Sequence, residues 1–283
     1  MFSLLRPYIF GLDPEVAHDL AIKSLKFNVL PKAFFHIDGE EMLETELFKK
    51  KLKNPIGLAA GFDKSAEVYN SLFKLGFGFV EVGTVTPKHQ TGNLKPRIFR
   101  LEKDKAMINR LGFNNDGMET VSERLSENPP DDYLGINIGP NRDTKDKTSD
   151  FIKCFDKLNK FASYITINIS SPNTEGLRNF HEKELLSDLL AKLNKLKKDK
   201  KIQCPIVLKI SPDIAEKEIF NINEMILKFR IDGIILTNTT NQYRENLSDN
   251  KKHEKGGLSG LPLQKISLKL IKQFFKSSKG KVP

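Results

Sequence analysis

The sequence predicts a parallel α/β fold, and three observations carry that prediction. From Asn54 onward the chain contains short apolar runs that each end in Gly, Asn, Ser or Thr. Within these runs the apolar residues occupy successive positions instead of alternating with polar ones, the pattern of a strand covered on both faces. Between most of the runs lie amphipathic stretches at helical spacing. Strand, helix, strand repeated in this way implies a parallel sheet with right-handed crossovers.

The elements follow in order. Residues 1–10 read MFSLLRPYIF. Asp13, Pro14 and Glu15 then start a helix with an N-cap, a first-position proline and an early acid. His18, Ala21, Ile22, Leu25 and Val29 recur at helical spacing as far as Pro31. With Arg6, Lys23 and Lys26 nearby, this amphipathic unit suits a membrane surface or a cap packed on its own protein, and the pattern leaves both open. Strands are expected at 55–60, 79–85, 133–138, 164–169, 205–210 and 233–237. Helices are expected at 66–75, 118–125, 148–161, 182–197, 214–229 and 262–275. The long gap from 86 to 132 holds two further runs, 97–101 and 106–109, which read as a small hairpin beside the sheet.

Forty-six Lys and Arg against 36 Asp and Glu leave a net charge of +10. Such a surplus suits an anionic partner: nucleic acid, acidic lipid or a phosphorylated cofactor. The Lys-rich stretch at 192–201 reads as a solvated helix face and its exit loop, and no basic patch is interleaved with stacking aromatics, so nucleic acid is not expected. Two cysteines, Cys154 and Cys204, exclude a disulfide scaffold and favour a reduced compartment. No run approaches the roughly 18 apolar residues of a spanning helix, and no export signal is visible. No metal site is expected, since His18, His36, His89, His181 and His253 lie far apart with no Cys or His at ligand spacing. No Ser-His-Asp order or G-x-S-x-G elbow is present.

Nearly every expected strand delivers a polar residue at or just after its C-terminal end. Lys64 follows the first, Thr84 lies in the second, Asn137 in the third, Asn168 and Ser171 on the fourth, Lys209 in the fifth, and Asn238 and Thr239 after the sixth. The carboxyl ends of parallel strands form one face, so these side chains converge on one pocket. Amides offer both donors and acceptors and suit a planar heterocycle with alternating carbonyl and N–H groups. The two lysines suit a carboxylate or a developing anion. Pro172 stiffens the turn after Ser171, and the segment 256–260 (GGLSG) reads as a glycine-rich loop that lets backbone amides approach a ligand.

Several long motifs stand in register: GLAAGFDK at 57–64, EVGTVTP at 81–87, INRLGFNN at 108–115, NISSPNT at 168–174, TNTT at 237–240 and GGLSG at 256–260. In order and spacing they resemble the dihydroorotate dehydrogenases, from about residue 1 to the last. Serine at 171, where soluble relatives use cysteine, and the N-terminal helices are similar to the membrane-associated, quinone-reducing class. That resemblance implies a (β/α)8 TIM barrel at 37–283 preceded by a helical membrane and quinone-tunnel segment at 1–36. It implies FMN as cofactor and oxidation of dihydroorotate to orotate in pyrimidine biosynthesis. By the same resemblance Ser171 is expected to take the C5 proton, through a relay because a hydroxyl is a poor base, while the C6 hydrogen passes to FMN as hydride. Lys64, Asn109, Arg110, Leu111, Gly112, Phe113, Asn168, Asn173, Asn238 and Thr239 are the implied substrate residues. Ala59, Ala60, Gly61, Lys64, Thr84, Asn137, Asn168, Lys209, Thr237 and Gly260 are the implied FMN residues. Arg100 and His18 are candidates for the quinone, either ubiquinone or menaquinone.

Against the family pattern the chain stops early, where KGKVP at 279–283 reads as the lead-in to a seventh strand. Six strands leave two edges unpaired, and the last two βα units, whose loops hold the FMN phosphate in the family, are expected to be missing. Weak FMN retention is the expected consequence. Two alternatives stay open: an FMN barrel that uses a soluble acceptor, and an inactive, basic membrane-surface fragment. For the enzyme the expected location is the bacterial inner membrane, peripheral and on the cytoplasmic side, against anionic lipid.

Overall fold

Two helices, α1 (Phe2–Gly11) and α2 (Pro14–Lys26), precede the sheet in a computed structural model that describes residues 2–27 and 40–282. Asp13 caps α2, its carboxylate accepting from the backbone N–H of Glu15 at 2.9 Å and of Val16 at 3.1 Å. The expected boundary at 36/37, with His36, Val29 and Pro31, lies outside the described residues.

Next come β1 (Thr45–Leu47), β2 (Lys50–Leu52), β3 (Gly57–Leu58), α3 (Tyr69–Lys74) and β4 (Phe79–Val85), then β5 (Ile98–Leu101), β6 (Ala106–Asn109) and α4 (Met118–Glu127). The chain continues through β7 (Leu134–Ile138), α5 (Lys147–Leu158), β8 (Tyr164–Asn168), α6 (Lys183–Asp199) and β9 (Ile206–Lys209). It closes with α7 (Glu216–Phe229), β10 (Gly233–Ile235), β11 (Gly257–Gly260) and α8 (Leu261–Ser278). The central sheet runs β10-β9-β8-β7-β4-β3, parallel at every pairing, with β3 and β10 at its edges. These are six neighbouring strands of an α/β barrel, each expected strand occupying part or all of its expected range.

The period of two along each strand sorts its side chains into two environments. Val80, Val82, Ile136, Ile138, Ile165, Ile167 and Leu208 pack outward with Leu72, Val121, Leu125, Phe151, Phe155, Leu189 and Ile226 of the helices. Their alternates, Glu81, Asn137, Tyr164, Thr166, Asn168, Val207 and Lys209, are buried as well and lie on the opposite side. The strands are therefore apolar toward the helices, while their other side combines these polar groups with an apolar cluster of Phe79, Tyr164, Val207 and Ile235. Gly135 is needed there, because a Cβ would collide with the Tyr164 ring.

Two segments differ from expectation. The stretch at 256–260 is not a free loop, since β11 pairs antiparallel with β6 and extends the β5–β6 hairpin to three strands. The short antiparallel pair β1–β2 has no counterpart among the expected strands, its sequence being rich in charge. Helix α2 rests on the β5–β6 hairpin through Arg97, whose guanidinium donates to Glu15 at 2.6 Å, and on the barrel through the Lys26–Glu67 ion pair. Among the described residues no helix is long and apolar enough to cross a membrane.

Candidate active site

The C-terminal ends of β3, β4, β8 and β9 open on a cavity of about 170 Å³, closed from the side by the segment after β6. Lys64, Thr84, Asn168, Lys209, Asn238 and Thr239, all expected from strand ends, line it together with Ser171. So do Ala60, Gly61, Asn109, Leu111, Gly112, Phe113 and Asn173. The only acid or base groups in this lining are the two lysines, so the cavity is cationic and suits a small anion.

Ser171 is 5% exposed and its Oγ accepts the Asn173 backbone N–H at 3.2 Å, leaving its own proton directed by no protein acceptor among the described residues. Asn173 in turn donates to the Asn109 carbonyl at 3.2 Å, which ties the turn after β8 to the β5–β6 hairpin. Lys209 is 8% exposed and has no hydrogen-bond or ion-pair partner among the described residues. Its side chain lines the cavity, so the ammonium is free to meet an anionic ligand there. Lys64 Nζ lies 3.1 Å from His18 Nε2 on α2. Burial pushes the Lys64 amine below its usual range. The His18 imidazole is also held low, by burial first and by Lys64 second. His18 additionally packs edge-on against Phe62 at 5.1 Å.

Several expected residues stand elsewhere. Asn137 lies one layer beneath the cavity, where its Oδ1 accepts from Thr84 Oγ1 at 2.6 Å and from Asn168 Nδ2 at 3.1 Å. Ala59 lines a second, apolar cavity of about 260 Å³ that adjoins the first at Lys209. Thr237 Oγ1 meets Ser267 Oγ at 3.3 Å. Gly260 ends β11 at a φ of +101°, with the Lys105 backbone where a side chain would stand. Arg110 turns away, bonded to Glu254 at 2.7 Å and stacked over Phe99. Arg100 donates to the carbonyls of Phe10 at 3.2 Å and Leu12 at 2.9 Å, and lies over the Phe10 ring. Gly83, Asn114 and Pro172 also line the cavity, and none of them follows from the strand-end argument. Asn114 Oδ1 is buried with no partner, so its signal is an orphan acceptor that only the folded chain reveals. Among the described residues no cluster of His, Cys, Asp or Glu could hold a metal.

The family model described as dihydroorotate dehydrogenase matches residues 42–283. The chain belongs to this family. A dihydroorotate dehydrogenase (quinone) of Christiangramia forsetii is 45% identical, over 99% of this chain and 84% of that relative. One from Bradyrhizobium diazoefficiens is 43% identical over 99% of this chain and 78% of its own length. Among solved structures, the dihydroorotate dehydrogenase of Eimeria tenella in complex with ferulenol is 38% identical with a TM-score of 0.88, covering 97% of this chain and 81% of that one. As a dihydroorotate dehydrogenase family member, the chain aligns through α1 and α2 as well as through the barrel, because the quinone relatives match 99% of it.

Proposed function

We propose that this chain oxidises dihydroorotate to orotate with a bound flavin, FMN, and passes the electrons to a quinone in pyrimidine biosynthesis. The observation that carries this reading is the placement of Ser171 in a cavity lined by two lysines and a row of amides, with no carboxylate side chain among them. Dihydroorotate is a small anionic ring with alternating carbonyl and N–H groups, and that lining offers it donors, acceptors and positive charge.

The residues also fit the cofactor. Lys209 has no protein partner among the described residues and lines both the polar and the apolar cavity where they adjoin, the arrangement that stabilises a ring system gaining negative charge. FMN, when bound, supplies the hydride acceptor and hands electrons onward to the quinone. The chain's own residues do the rest. Asn109, Asn173, Asn238 and Thr239 orient the pyrimidine, and Lys64 balances its carboxylate. Ser171 Oγ takes the C5 proton while its own hydroxyl proton, which no protein group among the described residues holds, passes to a water within the cavity. The burial of Ser171 keeps bulk solvent from that step. Helices α1 and α2 form the quinone approach. Arg100 fixes their junction, and His18 carries contact from α2 to Lys64.

Anaerobic addition of dihydroorotate to the FMN-loaded chain tests the reading, with flavin absorbance as the readout. Bleaching followed by reoxidation with a short-chain quinone, and not with fumarate or NAD, is the expected result. Loaded protein that shows no bleaching overturns it.

A further inference from the structure

The folded barrel contains a carboxylate that none of the roles above uses. Glu81, on β4, is 3% exposed. Its Oε1 accepts from Asn137 Nδ2 at 2.8 Å, and its Oε2 accepts from Tyr164 OH at 3.0 Å and Thr166 Oγ1 at 2.8 Å. Among the described residues no cation pairs with it. Burial, and then the charge of Glu81, push the Tyr164 phenol well above its usual range, so Tyr164 stays a donor.

We propose that Glu81 is a positioning residue that sets the donor-to-acceptor direction of a hydrogen-bond chain ending on the cavity side chains Thr84, Asn168 and Asn238. The argument follows the atoms. An asparagine amide has nearly the same shape in both orientations, so its direction is set by a partner that can only accept or only donate. A carboxylate can only accept. With its Nδ2 committed to Glu81, Asn137 turns Oδ1 toward the cavity, where it accepts from Thr84 Oγ1 at 2.6 Å and Asn168 Nδ2 at 3.1 Å. Asn168 therefore presents Oδ1 to Ser170, accepting from its Oγ at 2.7 Å and its N–H at 3.2 Å. Having donated, the Ser170 hydroxyl accepts from Asn238 Nδ2 at 2.9 Å. That leaves Asn238 Oδ1 to accept the Thr239 N–H at 2.7 Å. Every bond from Asn238 downward points toward Glu81. Asn137 and Ser170 do not line the cavity, whereas Thr84, Asn168 and Asn238 do. A buried acceptor thus decides which atoms the ligand meets.

The inference rests on the flavin reading, and its test separates the two. FMN affinity is measured by fluorescence titration of the full chain. Glu81→Gln keeps the shape and can both donate and accept, so it removes the constraint, and a loss of about tenfold or more in affinity is expected. Adding Asn137→Asp to it restores an acceptor-only group facing Thr84 and Asn168. The amide introduced on β4 then donates to that carboxylate, while its carbonyl still accepts from Tyr164 and Thr166. That double variant is expected to recover most of the loss. Wild-type affinity in Glu81→Gln overturns the proposal, and so does a double variant no better than the single one. If Glu81→Gln does not fold, the double variant decides alone: folded and binding supports the proposal, unfolded or non-binding overturns it. If the unaltered chain binds no FMN, the flavin reading falls and the side-chain amide spectra decide the proposal alone. Protein labelled with 15N at asparagine then reads the chain directly, through an Asn137 side-chain amide proton moved downfield by the carboxylate and lost in Glu81→Gln. Spectra unchanged by that substitution overturn the proposal.

Discussion

Lys64 Nζ and His18 Nε2 stand 3.1 Å apart, so a single bond joins α2 to a side chain that lines the cavity. The bond needs a neutral imidazole with its proton on Nδ1, since an ammonium can only donate. Burial and the Lys64 charge lower the His18 pKa from 6.5, against opposing effects of Asp19, Glu15 and Glu67. A histidine lowered in the fold contributes stability that is complete above its unfolded pKa and is lost as pH falls toward the folded value. Amide exchange across α2, corrected for intrinsic rates, is therefore expected to rise as pH drops below about 6.5. In His18→Gln, whose carbonyl still accepts from Lys64, that pH dependence should be much weaker. Equal slopes in both proteins would show that His18 does not hold the helix.

Ser171 accepts the Asn173 N–H, and among the described residues no protein group takes its own proton. Ser171→Ala should slow dihydroorotate-driven flavin reduction by roughly 10²- to 10⁴-fold, the usual contribution of a positioned base. FMN affinity and melting temperature should hardly change, because the hydroxyl supports only a short turn. Single-turnover stopped flow at the flavin band makes the measurement, and a rate within a factor of a few of the unaltered chain would remove Ser171 from the chemistry.

Lys209 lies where the polar and apolar cavities adjoin. Its side chain has no hydrogen-bond or ion-pair partner among the described residues and faces the cavities, so Lys209→Met breaks no bond and should leave the melting temperature of the flavin-free chain at or slightly above the parent value. The same change should make the bound flavin harder to reduce, shifting its potential downward. A melting temperature that falls would mean the lysine has a compensating partner in solution.

The strands were legible because β4, β7, β8 and β9 are buried almost throughout, which writes continuous apolar runs into the chain. The strand-end residues were legible for the same reason, as each breaks such a run. What the runs concealed is their alternation. Glu81 within FVEVG looks like one polar interruption, and only the pairing of Glu81 with Gly135 on β7, and of Gly135 with Tyr164 on β8, brings Tyr164, Thr166 and Asn137 to its carboxylate. Likewise β11 has three residues of low strand preference in GLSG and is a strand because β6 offers it an edge. Such long-range pairing leaves no local signal. The orphan acceptor of Asn114 and the turning of Arg110 toward Glu254 are products of packing in the same sense.

Arg97 fastens α2 to the hairpin at a nearly dry contact, with side-chain exposures of 6% for Arg97 and 12% for Glu15. Its remaining donors reach the carbonyls of Thr91 at 2.7 Å and Asn93 at 2.8 Å. Burial alone would raise the Glu15 carboxyl, but Arg97 and Lys95 outweigh it and hold the pKa below 4.5. Stability from this pair is thus present above about pH 4.5 and lost as pH falls through the lowered value. Arg97→Met leaves the carboxylate only the more exposed Lys95 at 3.4 Å and should cost about 1–3 kcal/mol, visible as a lower denaturant midpoint near neutral pH. Below about pH 4 the difference between variant and parent should shrink. A constant difference across that range would mean the loss is packing and not charge.

The N-terminal helices and their link carry exposed apolar side chains. Tyr8 is 78% exposed, Leu12 41%, Val16 49% and Leu20 48%, with Val16 and Leu20 one turn apart on α2 and Arg6 and Lys23 exposed nearby. Such side chains gain by entering the boundary between head groups and acyl chains, and the nearby cations favour an anionic surface. The pair Val16→Glu and Leu20→Glu replaces two exposed apolar side chains by charge without touching the core, so the fold should persist. Partitioning onto vesicles containing an anionic phospholipid should fall by about tenfold or more, given the transfer free energy of two aliphatic side chains. Turnover with a water-soluble quinone should stay near the parent value while turnover with a long-chain quinone in vesicles drops. Unchanged vesicle binding would place the membrane contact elsewhere and return these side chains to a packing role.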